Sequence, residues 1–246
     1  VLKELNPGNN KILITGRKLR EFVNLPSITE PEAVEYALEF TVKNGQHFDA
    51  VVTAGGETFM VYAMDGKNRI SRVFTGNKCA SGTGEFFLQQ IKRMNLPLEK
   101  AVELGEKGEP HHVSGRCSVF CKSDCTHALN KGEPIENVTA GLCEMIAMKI
   151  VELVSKVIPH DNVLVIGGTS LNRAVMKHLK RYVPGIVILD ESPYFEALGA
   201  AIVAFEKGGQ LPEEKNIFKH GKSSFNFLPP LKNAEKFVTF NKMQYG

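Results

Sequence analysis

Cysteine stands at positions 79, 117, 121, 125 and 143, and the first two each introduce a stretch with helical character, "NKCASGTGEFF" and "RCSVFCKSDC". A thiolate at a helix N-terminus meets unpaired N–H groups and the positive end of the helix dipole, which lower its pKa and favour an anion. A thiolate-bound iron-sulfur cluster is such an anion, so Cys79 and Cys117 are the candidate metal ligands. Cys121 and Cys125 fall one and two turns deeper and lose that advantage, and Cys143 falls in an apolar helical stripe that reads as core. Two thiolates do not complete a four-cysteine site, whereas a symmetric dimer giving two from each subunit does. The alternative is a site within one chain from Cys117, Cys121 and Cys125, which share a helix face but span roughly 12 Å along it.

A second set of candidates is glycine. "TAGGET" and "VIGGTS" each end an apolar strand, where the lack of side chains lets backbone N–H groups approach a ligand. Placed more than a hundred residues apart in an alternating α/β pattern, the two pairs fit one nucleotide held between two lobes. Neither is a Walker A loop, because no Gly-Lys-Ser/Thr follows, and the dinucleotide fingerprint is missing. The glycine turn after Cys79 is therefore assigned to the sulfur, and the nucleotide to Gly55-Gly56 and Gly167-Gly168.

The elements that must position these groups follow from hydrophobic period and punctuation. A strand is expected over 11–16. A helix follows, capped by Ser27 or Thr29, with Pro31 in its first turn and Ala33, Tyr36, Ala37 and Phe40 as an apolar stripe, running to Gly45. "FDAVVTAGGETFMVYAMDGKNRISRVFTG" reads as three strands with a turn at Asp65-Gly66. Helices are expected over 85–95, 98–108, 118–132, 138–157, 172–183 and 196–208, with strands at 161–166 and 185–190; the late alternation argues for parallel strands in an α/β layer fold. The expected organisation is 1–48 as the remainder of an N-terminal lobe, 49–205 as a nucleotide- and cluster-binding lobe, and 206–246 as an extended arm that packs through Phe225, Phe227, Leu228 and Leu231. His111, His112, Asp124 and His127 read as solvated polar positions, and Glu196 as a carboxylate serving the first turn of its helix.

Composition narrows the partners. The chain has 246 residues, 43% of them hydrophobic, and a formal net charge of +3 with no Lys/Arg block that would track a nucleic-acid backbone. Its apolar runs are shorter than the ~20 residues a bilayer span needs, and the N-terminus carries no signal pattern. The expectation is a cytoplasmic protein without nucleic-acid or membrane partners.

Taken together, "ITGR", Thr29-Glu30, "AGGET", "NKCASGTG", "CSVFCKSD", "AGL", "VIGGTSLN" and "ALGAA", in that order from about Ile12 to Phe205, resemble the ATP-dependent activators of 2-hydroxyacyl-CoA dehydratases and the related ATPase subunits of benzoyl-CoA reductase. "CSVFCKSDCTHALNKG" and "LPPL" are similar to the large fused activases, in which such a module is one part of a long chain. The resemblance implies a ribonuclease H-like, two-lobed ATPase of the sugar kinase, actin and heat-shock chaperone superfamily. It implies ATP or ADP with Mg2+, and a 4Fe-4S cluster shared between two subunits through Cys79 and Cys117 of each. It implies low-potential electron transfer to a CoA-ester dehydratase or reductase. Gly55, Gly56 and Glu57 match the second phosphate motif, and Gly167, Gly168 and Asn172 the adenosine motif. No Asp-Gly-Ser/Thr loop occurs in residues 1–11, so an incomplete N-terminal lobe is expected. Thr53 and Thr58 stand where the family carries acidic residues, which places hydrolysis by this chain alone behind nucleotide binding. The alternatives are a non-hydrolysing docking module of a multidomain reductase and a small-molecule kinase of the same superfamily.

Overall fold

The computed structural model describes residues 10–42, 46–76 and 83–219. The β-branched run after Phe48 forms β1 (Ala50–Ala54), buried at every position, as befits a strand covered on both faces. β2 (Phe59–Met64) returns antiparallel to it, with Ala54 opposite Phe59. β3 (Ile70–Thr75) follows on the edge, more exposed than its neighbours. β4 (Val163–Ile166) lies parallel to β1 on the other side, and β5 (Ile186–Val187) lies parallel to β4, giving the order β3-β2-β1-β4-β5. The sheet is thus mixed, and the expected parallel pairing holds for β1, β4 and β5 alone. Residues 55–58 are too few for a crossover, which takes a dozen or more residues, so β2 must return as a hairpin. The turn at Asp65-Gly66 forms as expected: Asp65 Oδ1 accepts the N–H groups of Lys67 and Arg69, each at 2.8 Å.

Eight α-helices occur among the described residues: α1 (Arg17–Phe22), α2 (Glu30–Thr41), α3 (Gly84–Arg93), α4 (Leu98–Lys107), α5 (Ser118–Asn130), α6 (Ile135–Val154), α7 (Arg173–Tyr182) and α8 (Phe195–Lys207). Thr29, not Ser27, caps α2: its hydroxyl accepts from the Glu32 N–H while the Glu32 carboxylate takes the Thr29 N–H. Alternation along β1 separates two layers. Val51 faces Val34, Ala37, Leu38 and Phe195 of α2 and α8, while Ala50, Val52 and Ala54 belong to the larger core that holds α3 through α7.

Two expected strands are corrected. Residues 11–16 make isolated bridges, Ile12 to Gly209 and Ile14 to Ser27, and not a sheet strand. Only Ile186 and Val187 of the stretch 185–190 pair in the sheet. Ile14, Val23 and Ile217 form a small separate core to which Ile12, Leu25 and Leu211 add, so the described start of the arm packs against residues 12–25. Phe225, Phe227, Leu228 and Leu231 lie outside the described residues. His111 lies in a loop with its side chain partly exposed, as expected, and its backbone N–H donates to the Asn137 carbonyl at 3.0 Å, which anchors the loop before α5 on α6. Among the described residues no helix is long and apolar enough to cross a membrane.

α7 carries a buried imidazole. His178 is 1% exposed, and burial, helped by the charge of Arg181, holds it below its ordinary value, against weaker pulls from Glu144 and the Gly105 backbone. The unfolded chain therefore binds this proton more readily than the folded one. Stability should fall as pH drops below ~6.5, with a slope of at most about 1.4 kcal/mol per pH unit, and level off below the depressed folded value. Urea midpoints measured between neutral and mildly acidic pH should decline less steeply in His178→Gln; equal slopes would rule out His178 as the cause.

Candidate functional site

β1 and β4 run parallel with Thr53 opposite Ile166, so Gly55-Gly56 and Gly167-Gly168 leave the sheet side by side at its carboxyl edge. That edge is where open α/β sheets bind ligands. The two loops touch: a Cβ on Gly167 would lie 2.6 Å from the Ala54 carbonyl oxygen. Gly167 has φ 92° and ψ 169°, a region essentially reserved for glycine. A Cβ on Gly56 or Gly168 would meet nothing within 4 Å, so both glycines border open space. Residues 168–171 then make one 3-10 turn into α7, whose N-cap is Asn172; its side-chain oxygen accepts the Val175 N–H at 3.1 Å. Glu57 turns outward to pair with Lys18 of α1. The four candidate glycines thus converge, while Asn172 caps a helix and Glu57 joins a surface ion pair.

α3 hangs from the same loops. Thr83 caps it by accepting the Phe86 N–H at 3.3 Å. The Gly84 N–H donates to the Gly55 carbonyl at 3.3 Å and the Glu85 N–H to the Gly56 carbonyl at 2.8 Å. A Cβ on Gly84 would come within 3.2 Å of Thr169 Oγ1, so the start of α3 also abuts the second glycine loop. Cys79 lies outside the described residues, and α3 begins five residues after it. The glycine turn assigned to the sulfur alone therefore leads into a helix that is bonded to the loops assigned to the nucleotide.

Cys117 is the N-cap of α5, half-buried, with its carbonyl accepting the Cys121 N–H at 2.9 Å. Its neighbours Val119 and Phe120 are 67% and 64% exposed. Cys121 and Cys125 face the core and share a thiol hydrogen bond that, with burial, pushes Cys121 up. Cys143 lies in the core as expected, pushed up to about 12 by burial. Among the described residues no three His, Cys, Asp or Glu side chains are grouped to hold a metal ion, so the single-helix site from Cys117, Cys121 and Cys125 does not form. α5 reaches α3 through Lys122, whose Nζ lies 6.0 Å from the centre of the Phe86 ring. Asp124, expected to face solvent, instead accepts the Ser114 N–H at 2.8 Å and ties down the loop before α5.

Sequence reading missed one group of residues. Glu196 Oε1, in the first turn of α8, accepts the Thr53 hydroxyl at 3.0 Å, joining residues 143 positions apart. Glu30, at the start of α2, pairs with Arg20 at 2.9 Å. Tyr62 lies fully buried on β2 with Glu196 and Glu30 as its charged neighbours, and its hydroxyl has no hydrogen-bond partner among the described residues.

A parallel β1-β4-β5 half, an antiparallel β1-β2-β3 meander and glycine loops meeting at the strand ends are the layout of a ribonuclease H-like fold. Residues 26–204 match the BadF/BadG/BcrA/BcrD ATPase family, and the chain belongs to that family. It is similar to the 2-hydroxyisocaproyl-CoA dehydratase activator of Clostridioides difficile, with 27% identity over 171 residues that cover 68% of this chain and 64% of the relative. The chain thus spans less than two thirds of that relative's length. The solved structure of the Clostridium difficile activator with bound ADPNP shares the fold, with a TM-score of 0.75 and 23% identity over 83% of this chain and 79% of that one. The Acidaminococcus fermentans (R)-2-hydroxyglutaryl-CoA dehydratase component A superposes with a TM-score of 0.70 and 25% identity, covering 80% of this chain and 76% of that one.

Proposed function

We propose that this chain is the nucleotide-responsive, cluster-bearing module of an ATP-dependent activase that passes low-potential electrons to a CoA-ester dehydratase or reductase. The observation that carries the reading is the pair of backbone hydrogen bonds from Gly84 and Glu85 to the carbonyls of Gly55 and Gly56. A shift of the Gly55-Gly56 loop on binding phosphate is transmitted to α3 through these bonds, and from α3 to the segment that carries Cys79. The residues fit a nucleotide: Gly56 and Gly168 border open space at the strand ends, as a phosphate cradle requires. Cys117 fits a cluster ligand, being a half-buried thiol at the positive end of a 13-residue helix. A 4Fe-4S cluster, when bound, supplies a one-electron carrier of low potential. With Cys79 and Cys117 as its ligands from each chain, a second copy completes the set, and exposed Val119 and Phe120 beside Cys117 suit a surface that the copy covers. The names of the relatives support a CoA-ester dehydratase as the partner.

Anaerobic reconstitution tests this. The protein should take up roughly two irons per chain, as expected for one 4Fe-4S cluster between two, and Cys117→Ala should lose them. The electron paramagnetic resonance signal of the reduced protein should change when ATP is added. No iron uptake, or a full complement in Cys117→Ala, would sink the cluster assignment; a signal indifferent to ATP would sink the coupling.

A further inference from the structure

Glu196 sits where the sheet, α2 and α8 meet, two residues along the chain direction from the first glycine pair through its bond to Thr53. Glu30, the one other carboxyl at this point among the described residues, is neutralised by Arg20. Among the described residues no cation pairs with Glu196; its contacts are the Thr53 hydroxyl and the charge of Glu30. Burial first, and Glu30 second, hold its carboxyl above the usual carboxylate range, against the Thr53 hydrogen bond. The fully buried Tyr62 hydroxyl, which lacks an acceptor among the described residues, is the second sign that the group is incomplete as it stands. At the end of β1 stand one half-buried carboxyl, that of Glu196, and one hydroxyl, that of Thr53, while the orphan Tyr62 hydroxyl lies on β2 opposite Val51 with Glu196 and Glu30 as its charged neighbours. That donor set suits Mg2+, which prefers oxygen ligands, keeps several waters, and is held by one or two carboxylates plus substrate phosphates.

We propose that Glu196 is the positioning residue for the hydrated Mg2+ that enters with the nucleotide. The inference rests on the nucleotide reading above. Thr53 holds the carboxyl from α8 at the end of β1. A water of the hydrated cation would supply the acceptor that the Tyr62 hydroxyl lacks among the described residues. Glu30 stays with Arg20 and does not exchange roles.

The test is calorimetric titration of the whole chain with ATP, with Mg2+ and with the metal chelated. In the wild type Mg2+ should tighten ATP binding by about tenfold or more, and Glu196→Gln, which keeps an acceptor for Thr53, should reduce that ratio to about twofold while chelated ATP binds as before. Glu196→Asp should restore part of the ratio, and the Mn2+ spectrum of the Mn·ATP complex should differ between wild type and Glu196→Gln. An unchanged ratio in Glu196→Gln overturns the assignment. Should that variant not fold, Tyr62→Phe decides: a lowered ratio supports the assignment and an unchanged one overturns it. If the wild type binds no nucleotide with or without Mg2+, the nucleotide reading itself fails, which is a different result from binding without Mg2+ dependence on Glu196.

Discussion

Gly167→Ala is expected to lower the free energy of unfolding by about 2–4 kcal/mol and to weaken nucleotide binding by about tenfold or more. Two independent costs add. The backbone at φ 92° and ψ 169° is one that alanine adopts only with strain, about 1–3 kcal/mol. The new Cβ would also lie 2.6 Å from the Ala54 carbonyl oxygen and 3.0 Å from its carbon, neither of which can swing aside as a side-chain tip can. Relief by rotating the peptide is blocked, because the Gly167 N–H donates to the Ser192 carbonyl at 2.8 Å. Relief by parting the strands breaks the β1-β4 ladder at its last pair, Thr53 with Ile166. Gly168→Ala is the control. It has ordinary φ and no atom within 4 Å of an added Cβ, so its urea midpoint should stay near wild type while nucleotide affinity falls if phosphate approaches there. Wild-type stability in Gly167→Ala would refute the close approach of the two loops.

What the sequence made legible, and what it hid, divides along the range of the interaction. Thr29, Glu30, Pro31 and Glu32 announce the start of α2 within four residues, because capping is a local exchange of hydrogen bonds. The β-branched run of β1 and the Asp65-Gly66 turn are equally local. Cys143 was readable as core from the apolar stripe of α6, and Cys117 as a helix start from the polar run before Ser118. Ile12 and Ile14 misled because their burial is met by Ile217, Val23 and Leu211 through isolated bridges, a tertiary arrangement with no signature in a six-residue window. Asp124 looked solvent-facing because its partner is a backbone N–H ten residues earlier. Least legible was Glu196: its tie to Thr53 spans 143 positions, and only the crossing of α2 and α8 over the sheet brings it to the strand end. The link from Gly84 and Glu85 to the first glycine loop was hidden for the same reason, so the turn after Cys79 looked independent of the nucleotide candidates.

That helix crossing yields the prediction with the largest structural effect. At Gly199 of α8 an added Cβ would stand 1.8 Å from the Ala33 carbonyl oxygen of α2, 2.6 Å from its carbon and 3.0 Å from its Cα, all backbone atoms of a regular helix. Restoring ordinary contact requires the two helices to part by more than 1 Å, and interiors packed like crystals do not yield that distance without opening voids. The residues around the crossing are Ala33, Ala37, Ala200 and Val203, too short to fill the gap that opens. Gly199→Ala is therefore expected to lose about 3–5 kcal/mol, at the upper end for a single substitution in a core. A protein of ordinary marginal stability would retain little margin after such a loss, so the variant should unfold at much lower urea or fail to accumulate. The effect reaches function through geometry, because Glu30 lies one turn before Ala33 and Glu196 one turn before Gly199. Parting the helices draws both carboxyls away from Thr53 and Tyr62, so any folded fraction of Gly199→Ala should lose the Mg2+ dependence of ATP binding together with stability. A urea midpoint equal to that of the wild type would show that the helices do not cross at van der Waals contact, and would remove the scaffold on which the placement of Glu196 depends.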